Sequence, residues 1–138
     1  MKVAIYGQVY QKNSLIPIES LLQICHKKSF KVYVEASFFD SIKQEKSIQK
    51  IITDFNTFKK LDNSFELLIS IGGDGTILRA VTYIRDLNIP IIGINTGRLG
   101  FLATIQKNNI AKAIDDIVKG NYRISERSLL SIRTEPEN

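Results

Sequence analysis

Cysteine and histidine occur once each in this 138-residue chain, as Cys25 and His26, and proline three times. A lone cysteine excludes an intrachain disulfide, a zinc knuckle or a redox pair. A lone histidine gives no His-rich metal site and makes any Ser-His-Asp arrangement depend on one residue. The N-terminal Met-Lys-Val-Ala-Ile-Tyr-Gly lacks the apolar core of a secretory signal. No stretch approaches the ~18 uninterrupted apolar residues that a membrane span needs. A reduced, cytoplasmic location is the economical expectation.

What is present is ordinary for a globular protein, with 43% hydrophobic and 24% charged residues. That mixture excludes disorder, collagen-like repeats and a disulfide-dense scaffold. The length suits one domain and is short for two. Nineteen Lys and Arg against fourteen Asp and Glu leave a net charge of +5. Such an excess favours an anionic partner: nucleic acid, an acidic membrane surface or a phosphorylated small molecule. Lys27, Lys28, Lys43, Lys46, Lys50, Lys59 and Lys60 are spread over expected helical faces without interleaved aromatics. That distribution describes a solvated surface better than a nucleic-acid footprint.

Hydrophobic periodicity lays out the elements. Val3 to Tyr6 suits a first strand, and Ile18, Leu21, Leu22 and Cys25 after Pro17 repeat at helical spacing. Lys31 to Glu35 alternates as a second strand, and Ile42, Ile48, Ile51, Ile52 and Phe55 suggest a looser helix. Asn63-Ser64 marks a turn. The runs Leu67 to Ile71 and Ile91 to Ile94 are apolar throughout, as expected at the centre of a parallel sheet covered on both faces. Ile77, Ala80, Val81, Ile84 and Leu87 predict a helix between them, giving a right-handed βαβ unit. A last helix carries Ile110, Ala113, Ile114, Ile117 and Val118 and stops at Gly120. Beyond it Tyr122 and Ile124, then Leu130 and Ile132, alternate like half-buried antiparallel strands. The expected organisation is an open, mostly parallel α/β sheet with helices on both faces over residues 1–120, then the start of a β-rich domain over 121–138.

The chemistry concentrates in Ser70-Ile71-Gly72-Gly73-Asp74-Gly75-Thr76-Ile77-Leu78-Arg79, at the carboxyl end of a buried strand where a helix begins. Ligands bind at that edge of open α/β sheets, and free N–H groups at a helix start favour phosphate. Glycines let the backbone approach a ligand closely. An aspartate opposes a bound phosphate but suits a hydroxyl whose proton it can accept. The plainer alternatives are a helix cap at Asp74 or Thr76 and a mere tight turn. Leu78 stands where G-x-G-x-x-G requires its third glycine, and no G-x-x-x-x-G-K-[ST] occurs.

A second cluster, Gly93-Ile94-Asn95-Thr96-Gly97-Arg98-Leu99-Gly100-Phe101-Leu102, follows the next parallel strand. Alone it reads as a turn-rich connection with Phe101 and Leu102 as core. Two such loops at neighbouring strand ends line one cleft fit for a nucleotide. Together the two motifs resemble the NAD kinases. Gly-Gly-Asp-Gly-Thr by itself is shared with diacylglycerol and sphingosine kinases and, loosely, with phosphofructokinases; the second motif narrows the match. Glu126-Arg127-Ser128-Leu129-Leu130 resembles the entry into that family's second domain.

The resemblance implies a Rossmann-like N-terminal portion of an NAD kinase. Such enzymes transfer the γ-phosphoryl of ATP, or of polyphosphate in some members, to the 2′-hydroxyl of the adenosine ribose of NAD. It implies Asp74 as catalytic proton acceptor, with Gly72, Gly73, Asp74 and Gly75 at the dinucleotide. Arg79, Asn95, Phe101 and Leu102 complete the implied binding set, Phe101 lining the adenosine pocket. Arg79 reads equally as a surface arginine, and Arg98 is similarly ambiguous. Mg²⁺ would accompany ATP, although no carboxylate cluster offers it a protein ligand. A homo-oligomer, dimer or tetramer, without nucleic-acid or membrane partners, completes the implied picture. The family's second domain, with its Asn-Glu or Asn-Asp motif, is not in this sequence, so this chain alone is expected to be weakly active or inactive. The rivals are a lipid kinase of the same superfamily, disfavoured by Gly97-Arg98-Leu99-Gly100-Phe101, and a non-catalytic dinucleotide-binding module.

Overall fold

Six strands form one sheet in the computed structural model, which describes residues 1–9, 14–130 and 132–136. They are β1 (Lys2–Gly7), β2 (Lys31–Glu35), β3 (Asn56–Phe58), β4 (Leu67–Gly72), β5 (Ile91–Asn95) and β6 (Ile105–Gln106). Their spatial order is β3-β2-β1-β4-β5-β6, and every pairing is parallel. The helices are α1 (Leu15–Lys27), α2 (Ala36–Ile42), α3 (Lys46–Gln49), α4 (Asp74–Ile84) and α5 (Ile110–Val118). The chain winds outward from β1 to β3, then returns past β1 to build β4, β5 and β6 on its other side. The order therefore reverses between β1 and β4, which opens a crevice at their carboxyl ends.

Both faces of the sheet are covered, as the continuous apolar runs require. On one face Val3, Ile5, Ile69, Ile71 and Ile94 pack against Leu21, Leu22 and Cys25 of α1 and Ile110 and Ile114 of α5. On the other Ala4, Tyr6 and Leu68 meet Ala80 and Ile84 of α4, with Phe58, Leu61 and Phe65 filling the flank. Burial pushes the Cys25 thiol up to about 12, so it behaves as a small apolar side chain. The α1 and α5 helices are joined at their surface by Lys28 and Asp115, 2.5 Å apart.

Three expectations need correction. The looser helix over residues 42–55 is broken into α2, α3 and a 3-10 turn at Ile52–Asp54. Its apolar residues are too widely spaced for one stripe, yet Ile42, Ile48 and Ile52 each reach the core. Strands β3 and β6, of three and two residues, were not expected at all. Edge strands this short carry too little alternation to signal themselves. The strands expected at Tyr122–Ile124 and Leu130–Ile132 do not form: the described residues beyond Gly120 have no regular secondary structure and are exposed. A strand gains its stability from a partner and a buried face, and these residues have neither here. Ser131 of that region lies outside the described residues.

The end of α5 agrees with its expected stop. Gly120 takes φ +76°, its N–H donates to the Ile117 carbonyl at 3.1 Å, and Asn121 N–H donates to Asp116 at 2.8 Å. These two bonds make a Schellman motif.

Candidate functional site

The two glycine clusters meet at the carboxyl edge of β4 and β5, next to the β1/β4 crevice. Strand register delivers them there: Gly72 pairs with Asn95 at the last step of the β4–β5 ladder. Thr96 N–H then donates to the Gly72 carbonyl at 2.9 Å, so the loops leave the sheet tied together.

Asp74 is the first residue of α4, with Gly73 as N-cap. Its carboxylate does not cap its own helix. It reaches the second loop, where Oδ2 accepts from Phe101 N–H at 2.9 Å and Oδ1 from Leu102 and Ala103 N–H at 3.0 and 2.9 Å. Three sequence-distant backbone donors thus converge on one side chain. Those bonds, Ala103 first, then Phe101 and Leu102, hold its carboxyl below the usual carboxylate range. A carboxylate offers about four acceptor positions, so Oδ2 keeps one for a further donor.

The approach explains a glycine of the second cluster. A Cβ on Gly100 would run into the Asp74 carboxylate. Gly93, farther down β5, is likewise crowded, since a Cβ there would stand 2.8 Å from the Ala103 Cα. Neither position needs an unusual φ; both need the missing side chain.

Helix capping falls to Thr76. Its Oγ1 accepts from Gly73 N–H at 3.3 Å, while Thr76 and Ile77 N–H both donate back to the Gly73 carbonyl. The N–H groups of Asp74 and Gly75, at the first two helical positions, have no carbonyl within the helix to reach. Gly75 is exposed, so its backbone can meet a ligand there. Arg79 is exposed one turn further along, with Nη1 donating to Gln8 Oε1 at 2.7 Å.

The remaining candidate residues fall into two groups. Asn95 is 4% exposed, with Oδ1 accepting from Gly97 N–H at 2.8 Å and Nδ2 donating to the Ala103 carbonyl at 3.3 Å. Its amide shapes the loop from inside. Phe101 is the reverse, 93% exposed, and Leu102 is half-buried. A cavity of about 340 Å³ flanks the second loop, lined by Asn95, Gly97, Leu99, Gln106, Lys107 and Asn108. Asp74 and Arg79 lie outside it. Two contributors escaped the sequence reading: Gln8, in no motif, and Ala103, one residue past the quoted cluster. The only signal for Gln8 was its place at the end of the first parallel strand.

Among the described residues no group of three or more His, Cys, Asp or Glu comes together to hold a metal. Among those residues, too, no helix is long and apolar enough to cross a membrane.

Comparison with known proteins matches residues 3–122 to the ATP-NAD kinase N-terminal domain. The chain belongs to the NAD kinase family. The NAD kinase of Christiangramia forsetii is 45% identical over 138 residues, all of this chain and 47% of that protein. That of Flavobacterium johnsoniae is 43% identical over the same length and share. The chain thus spans about half the length of the curated NAD kinases it matches. The crystal structure of yeast NADH kinase complexed with NADH superposes with a TM-score of 0.65 at 18% identity, covering 86% of this chain and 36% of that one. That likeness supports the doubly wound NAD kinase fold.

Proposed function

We propose that the full-length protein containing this chain phosphorylates NAD at the 2′-hydroxyl of its adenosine ribose, with ATP or polyphosphate as donor, yielding NADP. The observation that carries this reading is the Asp74 carboxylate, joined to three N–H groups of the second loop and open at Oδ2 to one more donor. A ribose hydroxyl would be that donor. As its oxygen bonds to the γ-phosphorus and the bond to the β-phosphate oxygen breaks, the hydroxyl proton passes to Asp74. A carboxylate held below its ordinary pKa is ionised at neutral pH but too weak to ionise a sugar hydroxyl beforehand. Its work is orientation and late proton acceptance, in a reaction governed by positioning and charge.

Gly72, Gly73 and Gly75 would admit the dinucleotide backbone-first, and Arg79 would meet its pyrophosphate. Asn95 would act by holding the second loop, and Phe101 and Leu102 would be covered by adenosine. Mg²⁺ would arrive with the phosphates of ATP. Residues 121–138 would open a β-rich second domain that completes the site, in a cytoplasmic homo-oligomeric enzyme. The half-enclosed geometry, with Phe101 in solvent, accords with an active site this chain forms only in part.

Asp74→Asn in the full-length protein is the test. The expected result is a fall in kcat of roughly 100-fold or more with NAD still bound. Near-normal turnover would remove Asp74 from proton acceptance. Loss of NAD binding together with turnover would leave it only the loop to hold. Binding of NAD by the unsubstituted protein, without turnover, would favour the non-catalytic module.

A further inference from the structure

Gln8 stands one residue past β1, on one bank of the β1/β4 crevice. Its backbone N–H donates to the Ile71 carbonyl at 3.3 Å, fastening it to the neighbouring strand. Its side chain bridges to α4: Oε1 accepts from Arg79 Nη1 at 2.7 Å and from Thr76 Oγ1 at 3.3 Å. Thr76 Oγ1 is also the acceptor for the Gly73 N–H, so the glutamine, the helix cap and the arginine form one chain of hydrogen bonds. Guanidinium can only donate, which fixes the amide with its oxygen toward α4. Among the described residues Arg79 makes no ion pair.

From this geometry we propose that Gln8 is a positioning residue for dinucleotide binding, a neutral acceptor that holds the Arg79 guanidinium at the crevice and leaves its charge intact. The inference rests on the NAD reading above, in which Arg79 meets the pyrophosphate. An exposed arginine samples many rotamers, and ordering it beforehand removes part of the entropy cost of binding. A carboxylate at position 8 would order it equally well but oppose the anionic ligand. Glutamine orders the arginine without that penalty.

The experiment measures kcat, KM for NAD and the NAD dissociation constant of the full-length protein, with Gln8→Ala, Arg79→Ala, the double variant and Gln8→Glu. Gln8→Ala is expected to raise KM and the dissociation constant roughly three- to tenfold, with kcat within about twofold. In the Arg79→Ala background the same substitution should change neither, since only the bond to Thr76 is left to Gln8 and the guanidinium through which it acts on the ligand is gone. Gln8→Glu, which keeps the hold and opposes the ligand, should also bind NAD more weakly. An unchanged KM in Gln8→Ala, additive losses in the double variant, or wild-type binding by Gln8→Glu would each overturn the proposal. Gln8→Asn, one methylene short of Arg79, supplies a second variant should alanine prevent folding. An unsubstituted protein that neither binds nor phosphorylates NAD overturns the NAD reading and this inference together. A competent enzyme indifferent to Gln8 overturns the inference alone.

Discussion

Asp74 has one task in the structure, the hold on the second loop, and a second in the proposed reaction, and both call for its ionised form. Accepting from three N–H donors stabilises the ionised form, and the proposed proton acceptance starts from that same form, which the bonds make a weaker base. The amides of Ala103, Phe101 and Leu102 hold its carboxyl below the usual carboxylate range. Its folded-state pKa lies below the unfolded value of about 3.9, so its stabilising contribution is complete above that pH and lost as pH falls through the lower folded value. Amide NMR signals of Phe101, Leu102 and Ala103 should therefore shift together only below about pH 3.9. Titration of those amides near neutrality would disprove the attachment. Asp74→Asn sets an amide NH₂ against one of the loop donors, so hydrogen exchange at Phe101 or Ala103 should quicken even if the fold persists. That Asp74 stands where a buried strand gives way to a helix was legible from Gly-Gly-Asp-Gly-Thr. That its partners were the backbone of residues 101–103 was not, because no local pattern records a contact across 27 or more positions.

Among the elements, the strongest signals came from segments whose two ends and burial agree. The apolar runs of β4, buried throughout, and of β5, buried from Gly93 to Asn95, fit central parallel strands. Helix α5 was legible because its stripe ends at a glycine, and Gly120 at φ +76° does what that position demands. Gly120→Ala should destabilise the domain by about 1 kcal/mol through the strained φ, visible as a lower thermal midpoint. An unchanged midpoint would mean that the Schellman motif contributes nothing. The segment between β2 and β4 was poorly legible for the converse reason. Its isoleucines serve three short elements in turn, so no single period runs through it. Glu35 shows the consequence: it ends β2 and caps α2 by accepting from Phe38 N–H at 2.8 Å, and also accepts from Tyr83 of α4 at 3.2 Å. Sequence alone could place Glu35 only at the end of a strand.

For the whole molecule, stability and site depend on the same sheet. Ile69 lies in β4, fully buried against the α1 and α5 face. Ile69→Ala should cost about 2–5 kcal/mol, a large part of the 5–15 kcal/mol that holds a domain together. Denaturant unfolding measures it; a loss under 1 kcal/mol would mean that the core closes over the cavity. The fold class, the central strands, the covering helices and the two glycine clusters followed from the sequence by itself, because each is written in local periodicity, burial pattern or an uninterrupted motif. The strand order, with its reversal between β1 and β4, was decided by tertiary structure. So were the edge strands and the meeting of Gln8 with Arg79 and of Asp74 with the second loop. These join residues far apart in the chain, and only the closing of the sheet brings their donors and acceptors within hydrogen-bonding distance.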